Sequence, residues 1–316
     1  MFGICVEASH ERGMGHLYRA LALCETLLER GFPFRVFINR NEASQAILEQ
    51  RGIPFDLIRL DPVRSGWQSH AISRYGISLW IDDRLNTDAR HSRLVKDSGI
   101  PLVTFDDRGD GAAMADLNVV ALSFDDTERL PGRKVLRGPG YLILNREIAG
   151  YRHARIGMGS IVVTLGGSDT YGATVKVVRI LKSAGLGASV IVGPAFKHMS
   201  ELDQVLDDHF VLKRNVPSLM EEFSHHTLAI TGGGITPFEA NAAGLPCIII
   251  ANEDFEIPVG EGLASLGGAI FAGHYSRIDA RKLTTPLPIP DMSRAAMRTV
   301  DLQGVDRVLN EIEGLI

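Results

Sequence analysis

The feature that most constrains this chain is a repeated unit: a short apolar strand, a glycine-bearing loop, then an amphipathic helix. Residues 2–8 read as a strand. In the segment that follows, Leu17, Ala20, Leu21, Cys24, Leu27 and Leu28 recur at helical spacing. Gly31 closes that helix, residues 35–38 form the next strand, and residues 42–51 form the next helix, stopped by Gly52. Residues 78–81 and 102–105 are further buried strands, each ending in an aspartate pair. Apolar strands alternating with one-sided helices predict parallel sheets covered on both faces.

A second series begins after Gly157-Met158-Gly159. Strands are expected over 160–165, 189–192, 228–231 and 247–251, with helices over 173–184 and 237–243. The polar, basic and small residues of 145–159 mark the boundary. Residues 284–290 are proline-rich, and 293–316 read as helical. At 316 residues the chain suits two domains. The expected fold class is therefore α/β, with two Rossmann-like, doubly wound domains and a cleft between them. They would span residues 1–150 and 151–316, the terminal helix belonging to the second.

Composition narrows the function. A net charge of -5 argues against non-specific binding to nucleic acid or an anionic membrane surface. No segment approaches the ~18 consecutive apolar residues of a membrane span, and the first residues lack the flanks of a secretory signal. Cys5, Cys24 and Cys247 are far apart and in apolar surroundings, as expected of buried thiols in a reducing compartment. A cytoplasmic protein is expected.

Three glycine-rich loops fall where a strand feeds a helix, the position at which open parallel sheets bind ligands. None matches a standard dinucleotide or phosphate-loop motif. In Glu11-Arg12-Gly13-Met14-Gly15-His16, the glycines allow close backbone approach. His16 falls in the first helical turn, where the helix end disfavours the imidazolium and leaves a ring able to accept a proton. In the second loop, Gly166, Gly167 and Ser168 could hold a phosphate, or Ser168 or Asp169 could simply cap the helix. In the third, Gly232-Gly233-Gly234 bare the backbone, and Glu239 could accept the vicinal hydroxyls of a ribose. Spacing alone favours another role: Thr236 and Glu239, with Pro237 between them, form a capping box. The pairs Asp82-Asp83 and Asp106-Asp107 are expected to face one crevice as sugar ligands, as acid and base, or as partners orienting His16. No spacing specifies a metal, and the adjacent His225-His226 suits two opposite faces better than one ion.

Taken in order, several segments resemble the nucleotide-sugar hydrolases of the pseudaminic acid pathway and the related spore-coat polysaccharide proteins. They are Gly13-Met14-Gly15-His16-Leu17-Tyr18-Arg19, Phe105-Asp106-Asp107, Gly138-Pro139-Gly140-Tyr141 through Arg146-Glu147, Leu165-Gly166-Gly167-Ser168-Asp169, and Gly232-Gly233-Gly234 through Glu239 to Gly244-Leu245-Pro246. That family shares the two-domain GT-B fold of the glycosyltransferase that makes the bacterial cell-wall lipid intermediate. The resemblance implies hydrolysis of a UDP-linked acetamido-deoxysugar, with His16 activating water and no cofactor or metal required. It assigns Gly13, Gly15 and Arg19 to the ligand in the first half. In the second half it assigns Gly166, Gly167, Ser168, Gly233, Gly234 and Thr236 to the diphosphate side and Glu239 to ribose.

Two departures fall where the sugar is expected. The family's Asp-His-Tyr-Gly becomes Asp82-Asp83-Arg84-Leu85, which puts Asp83 and Arg84 beside His16 as catalytic candidates. The family's Asn-Gln becomes Asn252-Glu253 or Phe255-Glu256, which makes Asn252 a candidate ligand. A glycosyltransferase using a nucleotide-sugar donor, and a non-catalytic nucleotide-sugar binder, are the alternatives to hydrolysis.

Overall fold

The computed structural model describes residues 1–7, 15–59, 66–84, 86–125, 127–157, 159–167, 169–214 and 216–316. They form two compact units, residues 1–145 with 303–316, and residues 146–302.

In the first unit, β1 (Phe2–Val6), β2 (Phe34–Asn39), β3 (Phe55–Ile58), β4 (Leu79–Asp83), β5 (Leu102–Phe105), β6 (Leu117–Val120) and β7 (Val135–Arg137) join in the order β3-β2-β1-β4-β5-β6-β7. Every pairing is parallel. The helices are α1 (Gly15–Glu29), α2 (Glu42–Gln50), α3 (Trp67–Tyr75) and α4 (Ala89–Lys96). One face of the sheet buries Ile4, Val6, Leu79 and Ile81 with Leu17, Leu21, Cys24 and Leu27 of α1. The other buries Cys5, Phe37 and Trp80 with Ala71 and Ile72 of α3 and Val95 of α4. Each of the leucine, isoleucine, valine and phenylalanine side chains among them contributes roughly 1.5–3 kcal/mol when removed from water.

In the second unit, β8 (Ile161–Thr164), β9 (Ala188–Val192), β10 (Phe210–Arg214), β11 (Leu228–Gly232), β12 (Cys247–Ala251) and β13 (Ala269–His274) join in the order β10-β9-β8-β11-β12-β13, again parallel. Its helices are α5 (Ala173–Ser183), α6 (Met199–Val205), α7 (Leu219–Ser224), α8 (Thr236–Ala242), α9 (Glu256–Ser265), α10 (Ala280–Thr284) and α11 (Ile289–Thr299). All of β12, Cys-Ile-Ile-Ile-Ala, is buried, as a strand covered on both faces must be.

Both sheets reverse their strand order once, between β1 and β4 and between β8 and β11. A doubly wound sheet opens a crevice at the carboxyl ends of the strands flanking such a reversal, because the flanking connections leave on opposite faces. The second and third glycine loops follow β8 and β11 and lie at the reversal of the second sheet. The first glycine loop lies outside the described residues up to Gly15, where α1 begins.

The division of the chain differs from 1–150 and 151–316 in its last segment. The expected helix over 293–316 is two helices, broken where Val300 turns extended. The second, α12 (Gly304–Glu313), packs in the first unit. Its stripe of Val305, Val308, Leu309 and Ile312 joins the α1-side core, and Arg30, just past the end of α1, binds Asp306 and Glu313. The helical period was legible; the surface that the stripe covers was not.

Candidate functional site

In the first unit the site is built at the β1/β4 reversal. His16 is the second residue of α1, and its Nδ1 lies 2.5 Å from Oδ1 of Asp83, the last residue of β4. Arg19, one turn further along α1, donates from Nε to Asp83 Oδ2 at 2.8 Å and from Nη2 to Oδ1 at 2.5 Å. Its Nη1 reaches Oδ2 of Asp106, beyond β5, and its guanidinium lies over the Phe105 ring, 5.1 Å from the centroid. Asp106 holds the left-handed backbone, φ 48°, which aspartate tolerates better than most residues and which clusters at working sites.

Arg19 Nη2 also lies 3.3 Å from His16 Nδ1, but guanidinium N–H groups only donate. The shorter contact to the carboxylate therefore makes Nδ1 a donor to Asp83. That tautomer leaves the Nε2 lone pair as the basic position. No partner for Nε2 is found among the described residues. Asp83 is 3% exposed. Burial works to raise its pKa, but the Arg19 charge and the hydrogen bonds from Arg19 and His16 outweigh it, and the carboxyl is held below the ordinary range. The same two carboxylates raise Arg19 against its own burial.

The aspartate pairs do not face one crevice. Successive strand residues point to opposite faces, so Asp82 turns to the α3–α4 side. There it accepts from Trp80 Nε1 at 3.0 Å and from His91 Nε2 at 3.0 Å. Gln68 Nε2 and Arg84 Nη1 lie 2.7 and 3.3 Å from His91 Nδ1. Arg84 is thus buried with His91, 3.9 Å from Glu7, and the structure does not bring its guanidinium to His16. Asp107 is also buried, accepting the amides of Thr87 and Gly109. Among the described residues, Cys5, Asp82 and His91 form a group of ligand types within 4.8 Å of one another. Burial, and then Asp82, keep Cys5 a protonated thiol, and Asp82 and His91 already bind each other. Gly15 lies at the start of α1. Gly13 and Ser168 lie outside the described residues.

In the second unit the β8 and β11 loops form a separate site. Gly166 has φ 97°, which only glycine adopts without strain. Gly167 lies against Gly193, where a Cβ would come within 2.5 Å of the Gly167 carbonyl oxygen. The N-cap position of α5 is Gly172, and Asp169 accepts the Ala173 and Thr174 amides, each at 2.8 Å. Those two N–H groups are therefore spoken for.

The capping box at α8 does not form. Thr236 is the first helical residue, Ile235 is the N-cap, and no side chain caps the helix. The helix enters directly from the glycine run, with Ile235 already helical at φ -77°. The hydroxyl that spacing placed at the cap therefore lies one residue too far along. Among the described residues no hydrogen bond is found to the Glu239 carboxylate or to the amides of Gly234, Ile235 and Thr236. Burial pushes Glu239 up to about 7. Asn252 donates from Nδ2 to Leu165 O at 3.2 Å, while its buried Oδ1 finds no partner among the described residues. Glu256 Oε2 accepts the Asn252 amide at 2.7 Å.

With this geometry in hand, the chain can be set beside known proteins. No protein-family model matches it. It is 24% identical over 277 residues to the uncharacterized protein MJ1062 of Methanocaldococcus jannaschii, covering 80% of this chain and 56% of that protein. The chain thus spans little more than half the length of that relative. It is 22% identical over 288 residues to the spore coat polysaccharide biosynthesis protein SpsG of Bacillus subtilis, covering 86% and 83%. Among solved structures, MurG of Acinetobacter baumannii superposes with a TM-score of 0.72 at 14% identity, covering 99% of each chain. The glycosyltransferase VinC, in complex with dTDP, gives 0.62 at 14% identity over 99% of this chain and 98% of that one. The fold is that of the GT-B glycosyltransferases.

Sequence reasoning left two members of these sites unresolved. Asp106 was visible only as half of an aspartate pair, and in the structure it alone of the two holds a left-handed backbone and meets Arg19. Glu256 was visible only as one of two alternatives to the family's Asn-Gln, and its place against the glycine loop comes from the chain's return after β12.

Proposed function

We propose that the chain is a glycosyltransferase that takes its sugar from a nucleoside diphosphate. His16, oriented by Asp83, accepts the proton of an acceptor hydroxyl at Nε2 as the acceptor oxygen bonds to the anomeric carbon. The bond from that carbon to the diphosphate breaks, and the diphosphate leaves with the electron pair. In the second unit, the amides of Gly234, Ile235 and Thr236, for which no partner is found among the described residues, and the loop at Gly166 and Gly167 offer a diphosphate fixed dipoles. Glu239 accepts the ribose hydroxyls.

The observation that carries this reading is the His16–Asp83–Arg19 arrangement, a base held in one tautomer at a sheet reversal. Transfer is preferred to the hydrolysis expected from the sequence because the similar structures are glycosyltransferases. Fold likeness supports a reading of this kind without fixing its chemistry.

Incubating candidate nucleotide sugars with and without hydroxyl acceptors tests it. Turnover that depends on an acceptor is the expected result; prompt release of free sugar into water restores hydrolysis. His16→Ala should lose most turnover while nucleoside diphosphate affinity changes little. Full activity in that variant would overturn both catalytic readings.

A further inference from the structure

Arg19 stands between the base and a second acid. Its Nη2 lies 3.3 Å from His16 Nδ1, so a full positive charge sits beside the ring that is to take up a proton. Two carboxylates answer that charge: Asp83, bound at Nε and Nη2, and Asp106, bound at Nη1. The four side chains are 3% to 15% exposed, so little water screens them from one another. Burial works against the Arg19 charge, and Asp83 and then Asp106 more than restore it. The neighbouring ionisable groups are engaged elsewhere. Asp82 of β4 binds His91, Asp107 binds the Thr87 and Gly109 amides, and Glu7 beyond β1 lies 3.9 Å from Arg84.

One guanidinium against two carboxylates leaves the group with one negative charge while His16 is neutral. When Nε2 accepts the proton of the acceptor hydroxyl, the imidazolium brings the group to zero. Without the Asp106 charge the same step runs from zero to one positive charge, in a setting where an uncompensated charge is costly. Asp83 cannot balance both cations, because it carries a single charge. Asp106 is also held in place: it follows β5 with φ 48°, and its amide donates to Val119 O of β6 at 2.8 Å.

We propose that Asp106 is a positioning residue that acts through Arg19, offsetting the guanidinium charge beside His16 so that Nε2 can take up a proton. This rests on the reading of His16 as the base and names a further member of that same site.

The test compares the parent with Asp106→Asn and Asp106→Glu in the full chain. Asparagine keeps the shape and an oxygen for Arg19 and tolerates the left-handed backbone, so it removes the charge alone. Glutamate keeps the charge. With the nucleotide sugar and acceptor that the parent turns over, kcat of Asp106→Asn should fall roughly tenfold, with KM for both substrates within about threefold. A ring that is harder to protonate stays competent to lower pH, so the acid limb of its kcat profile should move down by roughly half a pH unit or more. Asp106→Glu should keep the acid limb of the parent. Nitrogen NMR of labelled histidine, with the His16 signals assigned by their loss in His16→Gln, should show the proton still on Nδ1 in Asp106→Asn.

An unchanged kcat and acid limb in Asp106→Asn, or an acid limb in Asp106→Glu that moves as far, overturns the proposal and leaves the reading of His16 standing. A changed tautomer in Asp106→Asn also overturns it, by making the role one of shape. So does an Asp106→Asn chain that fails to fold, since the amide fills every structural task of the acid. If the parent releases free sugar into water, transfer falls and the same comparison on hydrolysis decides Asp106. If the parent turns over no nucleotide sugar, the proposed function falls and this proposal with it.

Discussion

His16 Nδ1 and Asp83 Oδ1 lie 2.5 Å apart although 67 residues separate them in the chain. The contact exists because β1 and β4 are neighbours in the sheet, with Val6 paired to Asp83. The first turn of α1, which carries His16, meets the end of β4. Arg19, three residues after His16, completes the arrangement by binding both Asp83 oxygens.

Asp83→Asn tests the tautomer argument. An amide can face its NH₂ toward Nδ1, which moves the ring proton to Nε2 and removes the base. Turnover should fall on the order of 10³- to 10⁴-fold, with diphosphate affinity nearly unchanged. Arg19 would lose a buried partner, so urea denaturation should show a loss of roughly 3 kcal/mol. Unchanged steady-state turnover would contradict the role of Asp83.

Arg19→Lys keeps the charge and loses the fork that holds Asp83 at two oxygens. Asp83 is depressed below the ordinary carboxyl range, so its contribution to stability is present above the unfolded pKa and is lost as pH falls through the folded value. The lysine variant relaxes that depression. Acid unfolding followed by circular dichroism should therefore begin at a higher pH than in the parent.

Glu239→Gln separates binding from stability. Because Glu239 is raised to about 7, its favourable contribution is full below the unfolded pKa and lost as pH rises through the folded one. The glutamine variant should match the parent at pH 4 and exceed it at pH 8, by roughly 1–2 kcal/mol after allowing for partial solvent contact. The same variant should bind UDP about tenfold more weakly and no longer distinguish UDP from its 2′-deoxy form. Calorimetry showing equal discrimination in both proteins would remove ribose from Glu239.

Gly304→Ala probes the assignment of α12 to the first unit. A Cβ at Gly304 would lie 1.9 Å from the Leu142 carbonyl oxygen, and backbone on both sides prevents easy relief. A destabilisation of roughly 2–4 kcal/mol is expected. Hydrogen exchange should quicken in α1 and α12 and stay unchanged in the second unit.

Much of the fold was legible because its signals are local. Short apolar runs marked strands such as β1, β4, β5 and β12, a 3.6-residue period marked helices such as α1, α2 and α5, and glycines marked the loops after β8 and β11, while strands such as β3 and β10 and helices such as α3 and α9 went unread. His16 was legible as a residue at the head of a helix. Its partner was not, since Asp82 and Asp83 are indistinguishable as a dipeptide and the register of β4 decides which faces α1. Arg84 illustrates the same limit. Adjacent to Asp83 in sequence, it turns to His91 on the other side of the sheet.

The capping box failed for a related reason. Thr236 and Glu239 have the right spacing, but the helix begins at Thr236 itself, so neither side chain meets the amides that the motif would satisfy. By itself the sequence determined the α/β class, the two-part organisation and the positions of the glycine loops after β8 and β11, because these follow from chemistry repeated within a few residues. Only the tertiary structure decided that Asp83 rather than Asp82 meets His16, that α12 returns to the first unit, and that the Glu239 carboxylate finds no partner among the described residues. Those outcomes depend on which distant surfaces meet, and a contact between residues far apart in the chain leaves no mark on the spacing around either one.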